Sequence, residues 1–183
     1  MKVRLVLLCV ASVIGLAATT RPGMAANISK TNSLDCRVSL SGQSAVGDFD
    51  KLLELEQHLI VEDPESTRRS VICLDSPGGS VTAGLKIARY FLERGVSTRI
   101  PENARCYSIC AIMFMMGNFQ GAELRGISRK MHVTSKLGFH QPYLSLEEAG
   151  TYSSGDVEDS YRLGVTTIFE ILTLASRREP WGN

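Results

Sequence analysis

Three short pieces of this chain carry the parts that one kind of chemistry needs. Ser76-Pro77-Gly78-Gly79-Ser80 follows the apolar run Val71-Ile72-Cys73-Leu74, Ser108 lies thirty residues after Gly78, and Gly138-Phe139-His140-Gln141-Pro142 comes later. They offer a donor loop, a nucleophile and a base. A serine hydroxyl attacks poorly until a base takes its proton, and the tetrahedral oxyanion formed on attack must meet preorganised donors. Acyl transfer is therefore the chemistry these residues could do. Each also has a plainer reading: Pro-Gly-Gly is a common turn, Ser108 opens an apolar helix as an N-cap would, and a histidine at a strand end is commonly structural. Their joint occurrence, in this order, favours the site.

Hydrophobic periodicity indicates what would hold these residues. Cys36, Val38 and Leu40 alternate with polar neighbours as in a strand ending at Ser41-Gly42, and Phe49 to Val61 has helical spacing. Val71 to Leu74 is a short apolar strand running into Ser76-Pro77-Gly78-Gly79. Val81, Leu85, Ala88 and Leu92 then mark one helix face, which Gly95 stops. Ser97 to Ile100 is a third strand, Ser108 to Met116 an apolar helix closed by Gly117, and Leu137 to His140 a strand before Pro142. Leu146 to Ser176 is mainly helical, with a break at Ser153-Ser154-Gly155, and Asn118 to Ser135 reads as a basic surface loop carrying Arg125, Arg129 and Lys130. Repeated strand-helix units imply an α/β domain with a mostly parallel sheet. Ligands of such sheets bind beyond the carboxyl ends of the strands, where Gly78 and Gly79 fall. Lacking side chains, these two let backbone N–H groups point outward at a helix start, a setting that favours negative charge.

The first 25 residues have the form of a secretory signal. Lys2 and Arg4 precede an apolar run from Leu5 to Ala18, and Gly23-Met24-Ala25 ends in small residues suited to cleavage. The run is about 14 residues, short of the roughly 20 that span a bilayer, so association with a membrane is expected only if the signal stays uncleaved. Residues 26–183 are enough for one domain. Lys2, Arg4 and Arg21 would leave with the signal, turning a formal charge of +1 into −2, which gives no basic surplus for nucleic acid. Cys36, Cys73, Cys106 and Cys110 remain. An even number in an exported chain allows two disulfides in any of three connectivities. Cys106 and Cys110 have the spacing of one arm of a zinc finger, but no histidine pair follows, so neither a metal nor another cofactor is expected.

The strand-Ser-Pro-Gly-Gly-helix unit, the Cys106-Tyr107-Ser108-Ile109-Cys110 segment running into an apolar helix, and Phe139-His140-Gln141-Pro142 together resemble the Clp-type serine peptidases of the ClpP/crotonase superfold, and more closely their exported bacterial relatives. The likeness covers roughly Cys36 to Pro142. It implies a spiral of strand-helix units, Ser108 as nucleophile and His140 as general base. Gly79 and Ile109 would supply oxyanion donors from their backbone N–H groups, with Gly78 shaping the turn. It also implies a peptide or protein substrate lying beside Gly79-Ser80 by strand addition, a homo-oligomer, and a bacterial periplasmic location.

Two departures from the family stand out. The stretch between Ser108 and His140 is longer than in the cytoplasmic peptidases, as an insertion in the basic loop would make it. The family's triad aspartate lies well after the histidine, beyond a long helix, and has no counterpart before Asn183. The sequence therefore reads as a C-terminally truncated domain with an incomplete triad, in which Asp156 and Asp159 are weak candidates for the third member. Loss of the orienting carboxylate costs on the order of 10⁴ in turnover in the chymotrypsin template. The leading expectation is a cell-envelope serine endopeptidase, and the alternative an inert relative that binds peptides or assembles with partners. A Ser-Lys peptidase using Lys130 or Lys136 fits the Phe-His-Gln-Pro segment less well, and an acyl-CoA enzyme fits an exported chain less well.

Overall fold

The computed structural model describes residues 25–63, 69–121, 124–140, 151 and 153–176. The expected signal, apart from Ala25, lies outside them, as does the first part of the helical stretch expected from Leu146. Strands β1 (Asn27–Lys30) and β2 (Val38–Ser41) precede two short helices, α1 (Asp48–Glu54) and α2 (Glu56–Leu59). Strand β3 (Val71–Asp75), helix α3 (Val81–Arg94) and strand β4 (Ser97–Ile100) form the next unit. After them come β5 (Arg105–Tyr107), α4 (Ile109–Met115), β6 (Asn118–Gln120), β7 (Arg125–Ile127), β8 (Arg129–Met131), β9 (Lys136–Gly138) and α5 (Ser154–Ser176).

The protein is mixed α/β, and its main sheet is mostly parallel. The strand order is β1-β2-β3-β4-β8; β1 is antiparallel to β2, while the β2–β3, β3–β4 and β4–β8 pairs are parallel. Two small sheets accompany it, β5 with β9 in parallel and β6 with β7 antiparallel. Central β3 is the apolar run of the sequence, with Ile72 and Leu74 fully buried, as suits a parallel strand inside a sheet. In β2, Val38 and Leu40 face the core while Ser39 and Ser41 stay half-buried.

Helix α3 turns Gly84, Ile87, Ala88 and Phe91 inward at helical spacing, and Phe91 has no exposed surface. Burying a side chain of that size contributes roughly 1.5–3 kcal/mol. Ser80 caps α3 by accepting from the Ala83 N–H at 3.3 Å, and Gly95 ends it in a left-handed turn. The Tyr90 phenol donates to Glu56 at 3.1 Å, tying α3 to α2; burial and this carboxylate push its pKa up to about 12.

Two expectations need correction. The helix expected from Phe49 to Val61 breaks at Leu55, which separates α1 from α2. The stretch from Asn118 to Ser135, read as a loop, holds β6, β7 and β8, and β8 is a strand of the main sheet. Arg129, Lys130 and Met131 lie at the sheet edge, half-buried or exposed, so no alternating apolar signal marks them.

The cysteines form two disulfides, Cys36–Cys73 and Cys106–Cys110. The first bridges a separation of 37 residues and joins the approach to β2 with β3. Chain entropy alone gives such a link about 4 kcal/mol. Among the described residues no helix is long and apolar enough to cross a membrane.

Candidate active site

Strand β3 delivers the chain into the first half of the site. Ser76, fully buried, donates its N–H to the Arg105 carbonyl at 2.7 Å and accepts from the Tyr107 N–H at 3.0 Å, so it ties the end of β3 to β5. Its hydroxyl accepts from the Gly78 N–H at 3.1 Å and bends the chain into the turn. Gly78 and Gly79 follow at φ 106° and 134°, angles that glycine adopts at little cost. Ser44 grips this turn from the loop after β2: its N–H donates to the Gly78 carbonyl, and its own carbonyl accepts from the Ser80 N–H, both at 2.7 Å. Because strand-like groups alternate in direction, this grip aims the Gly79 N–H away from Ser44. Among the described residues that N–H makes no hydrogen bond.

The second half is a strand-to-helix turn with Ser108 at its apex. Strand β5 ends at Tyr107, α4 begins at Ile109, and Ser108 between them has φ 58° and ψ −128°. A non-glycine residue in that region stores about 1–3 kcal/mol of strain and persists only where its surroundings impose it. Here the Ser108 N–H donates to the Gly138 carbonyl at 2.9 Å, the Ser108 carbonyl accepts from the Ala111 N–H at 3.0 Å, and the Cys106–Cys110 disulfide straddles the turn. Ser108 stands at the N-cap position of α4 without a capping hydrogen bond from its side chain. The plain N-cap reading therefore fails, and the hydroxyl is left for another use. A Cβ on Gly78 would come 2.6 Å from the Ser108 Cβ and 3.2 Å from its Oγ, which measures how closely the two turns approach.

His140 joins them from the third element. Strand β9 pairs with β5, and its last residue, Gly138, is the one that holds the Ser108 N–H, so the chain leaving β9 passes the serine turn two residues before His140. Ser108, His140, Gly78 and Gly79 line one cleft of ≈ 350 Å³ with Gln43, Pro77 and Val81. The Ile109 N–H starts α4 beside Ser108 and, among the described residues, makes no hydrogen bond. Of the two expected oxyanion donors, Gly79 lines the cleft with Ser108, whereas Ile109 is 3% exposed and is not among the described lining residues.

The remaining candidates lie elsewhere. Asp156 accepts from the Ser153 N–H at 2.8 Å and the Ser153 hydroxyl at 2.7 Å, and the Asp156 N–H returns a bond to that hydroxyl at 3.2 Å. This reciprocal box caps α5 and holds the Asp156 carboxyl below the usual carboxylate range. Asp159 is exposed on the same helix. Neither is among the described residues lining the cleft, and Lys130 and Lys136 are not among them either. All four described cysteines are disulfide-bonded, and among the described residues no group of three or more His, Cys, Asp and Glu side chains could hold a metal ion.

Two contributors escaped the sequence reading. Ser44 clamps the glycine turn and Gln43 lines the cleft, yet both belong to a loop without periodicity or motif. Only the flanking glycines Gly42 and Gly47, at φ 87° and 94°, mark that loop as specially shaped. No protein-family model matches the chain, and no curated protein does either.

Proposed function

We propose that this protein is a serine endopeptidase of the bacterial cell envelope, an exported relative of the Clp-type peptidases built on a ClpP/crotonase-like spiral. The single observation that carries the reading is Ser108: a serine held at positive φ between a strand and a helix, released from capping, and packed against the Gly78-Gly79 turn in a cleft shared with His140. Strained strand-to-helix serines of this kind expose Oγ for attack.

In this reading Ser108 Oγ attacks the peptide carbonyl while His140 takes its proton. The oxyanion is held by the Gly79 and Ile109 N–H groups. His140 then protonates the leaving amine, and water attacks the acyl-enzyme by the same route in reverse. The substrate strand runs beside Gly79-Ser80, on the side that Ser44 does not occupy. Self-association belongs to the same proposal; it is supported by the exposed apolar side chains of Val157, Tyr161, Val165, Ile168 and Leu172 along α5.

A fluorophosphonate probe tests the chemistry. Labelling of the wild type that vanishes in Ser108→Ala and falls at least a hundredfold in His140→Ala is the expected result. Failure of the folded, oxidised protein to label under any condition would sink the peptidase reading and leave the inert peptide-binding alternative.

A further inference from the structure

Asp48 is a carboxylate with no exposed surface at the first residue of α1. Its Oδ2 accepts from the Ala45 N–H at 2.7 Å and from the Ala26 N–H at 3.2 Å, and its Oδ1 lies 3.4 Å from the Lys51 ammonium, whose side chain is 46% exposed. A buried carboxylate is costly unless it is hydrogen-bonded and paired with a cation, and Lys51, its cation among the described residues, is half in water. Ala26, by contrast, is 3% exposed and fixed against the carboxylate through its nitrogen. That nitrogen follows Gly23-Met24-Ala25, whose small residues suit cleavage after Ala25.

We propose that the mature N-terminus is the Ala26 α-ammonium and that it pairs with buried Asp48, fixing the loop that grips the Gly78-Gly79 turn. Hydrolysis of the Ala25–Ala26 amide consumes one water: the C–N bond breaks, Ala25 departs with the new carboxylate, and the Ala26 nitrogen becomes an ammonium. The donor atom stays where it is and gains a full charge, which turns a neutral hydrogen bond into a charge-assisted one. Since Ala26 is buried in the folded domain, cleavage precedes folding, as it does for a leader removed during export.

The consequence reaches the cleft through three adjacent residues. Asp48 holds the Ala45 N–H, Ser44 clamps Gly78 and Ser80 from both sides of Gly79, and Gln43 lines the cleft beside Ser108. The loop between β2 and α1 is held at its start by the Gly42 N–H on the Asp75 carbonyl at 3.0 Å, then by the Ser44 clamp, and at its end by Asp48. Neutralising Asp48 loosens the Ser44 clamp, and the Gly79 N–H loses its aim. This last link rests on the peptidase reading; the N-terminal pairing does not.

The exported protein, analysed by intact mass and N-terminal sequencing, should begin at Ala26; a mature chain beginning elsewhere overturns the proposal. A chain starting at Ala26 with a free amine should melt about 5 °C higher than the same chain N-acetylated, and Asp48→Asn should erase that difference. Equal midpoints for the free and acetylated wild-type chains overturn the pairing, and that comparison decides the matter even where Asp48→Asn does not fold. Fluorophosphonate labelling of Ser108 should be about tenfold slower in the acetylated chain. A midpoint shift with unchanged labelling overturns the link to the glycine turn. If neither chain labels, the peptidase reading fails while the midpoints still judge the N-terminal pair.

Discussion

The cleft is built from two strand-to-helix turns that solve the same geometric problem with different residues. The β3–α3 turn reaches positive φ with Gly78 and Gly79, and the β5–α4 turn does so with Ser108. Glycine occupies that region without steric cost, whereas serine stores strain there. The first turn needs only its backbone, so losing a side chain costs it nothing and allows the close approach to Ser44 and Ser108. The second needs a hydroxyl at its apex, and its surroundings impose the conformation: backbone bonds from Gly138 and Ala111, and a disulfide across the turn. Strain accepted where glycine would serve better points to the side chain as the reason.

Substitutions can break this contrast from either side. The largest effect is expected from Gly79→Ala, whose Cβ would drive into the Ser44 backbone at a φ of 134°. It should cost about 3 kcal/mol by denaturant unfolding and slow fluorophosphonate labelling by roughly 10²–10³ through loss of a donor's aim. Retention of both stability and labelling would mean the turn is ordinary. Next comes Cys106→Ala with Cys110→Ala. The short loop predicts a loss of about 2 kcal/mol, and labelling at Ser108 should slow more than in a Cys36→Ala, Cys73→Ala control despite that control's larger stability loss. The smallest change in stability sharpens the contrast most. Ser108→Gly should stabilise the fold by about 1 kcal/mol, strain relief exceeding glycine's entropy cost, while abolishing labelling, and a destabilised glycine variant would show that the strain in the serine turn is smaller than that cost.

Much of the framework was legible because long apolar patterns announce themselves. The run Val71 to Leu74 and the α3 face at Val81, Leu85 and Ala88 gave a strand and a helix near their observed limits, with Gly95 as the stop. Short edge strands were not legible. β8 has three residues, two of them basic, and becomes a strand only because Thr98, Arg99 and Ile100 offer it a partner edge. Likewise β5 gains its identity from β9 and from the bond between Ser76 and Arg105, none of which leaves a local pattern.

The candidate site divides in the same way. Residue type and order drew attention to Gly79, Ser108 and His140. Composition could not choose between a capping serine and a strained one, because that difference lies in a backbone angle set by Gly138 and Cys110. Nor could spacing choose among three cysteine pairings, since bringing Cys36 to Cys73 requires β2 to lie beside β3. Ser44 was beyond reach for the same reason: its role is a bond partner's role, fixed by the parallel pairing of Ser44 with Gly79.

The disulfide around Ser108 also sets an order of events in time. Cys106 and Cys110 have no exposed surface in the finished fold, and thiol–disulfide exchange requires that an oxidant reach the sulfur. The bond must therefore close while β5 and α4 are still accessible, before the core seals over them. A chain that packs first carries two thiols into a compartment that oxidants do not enter, and its serine turn lacks one of the constraints that shape it. For this protein, oxidation is a step of assembly with a deadline.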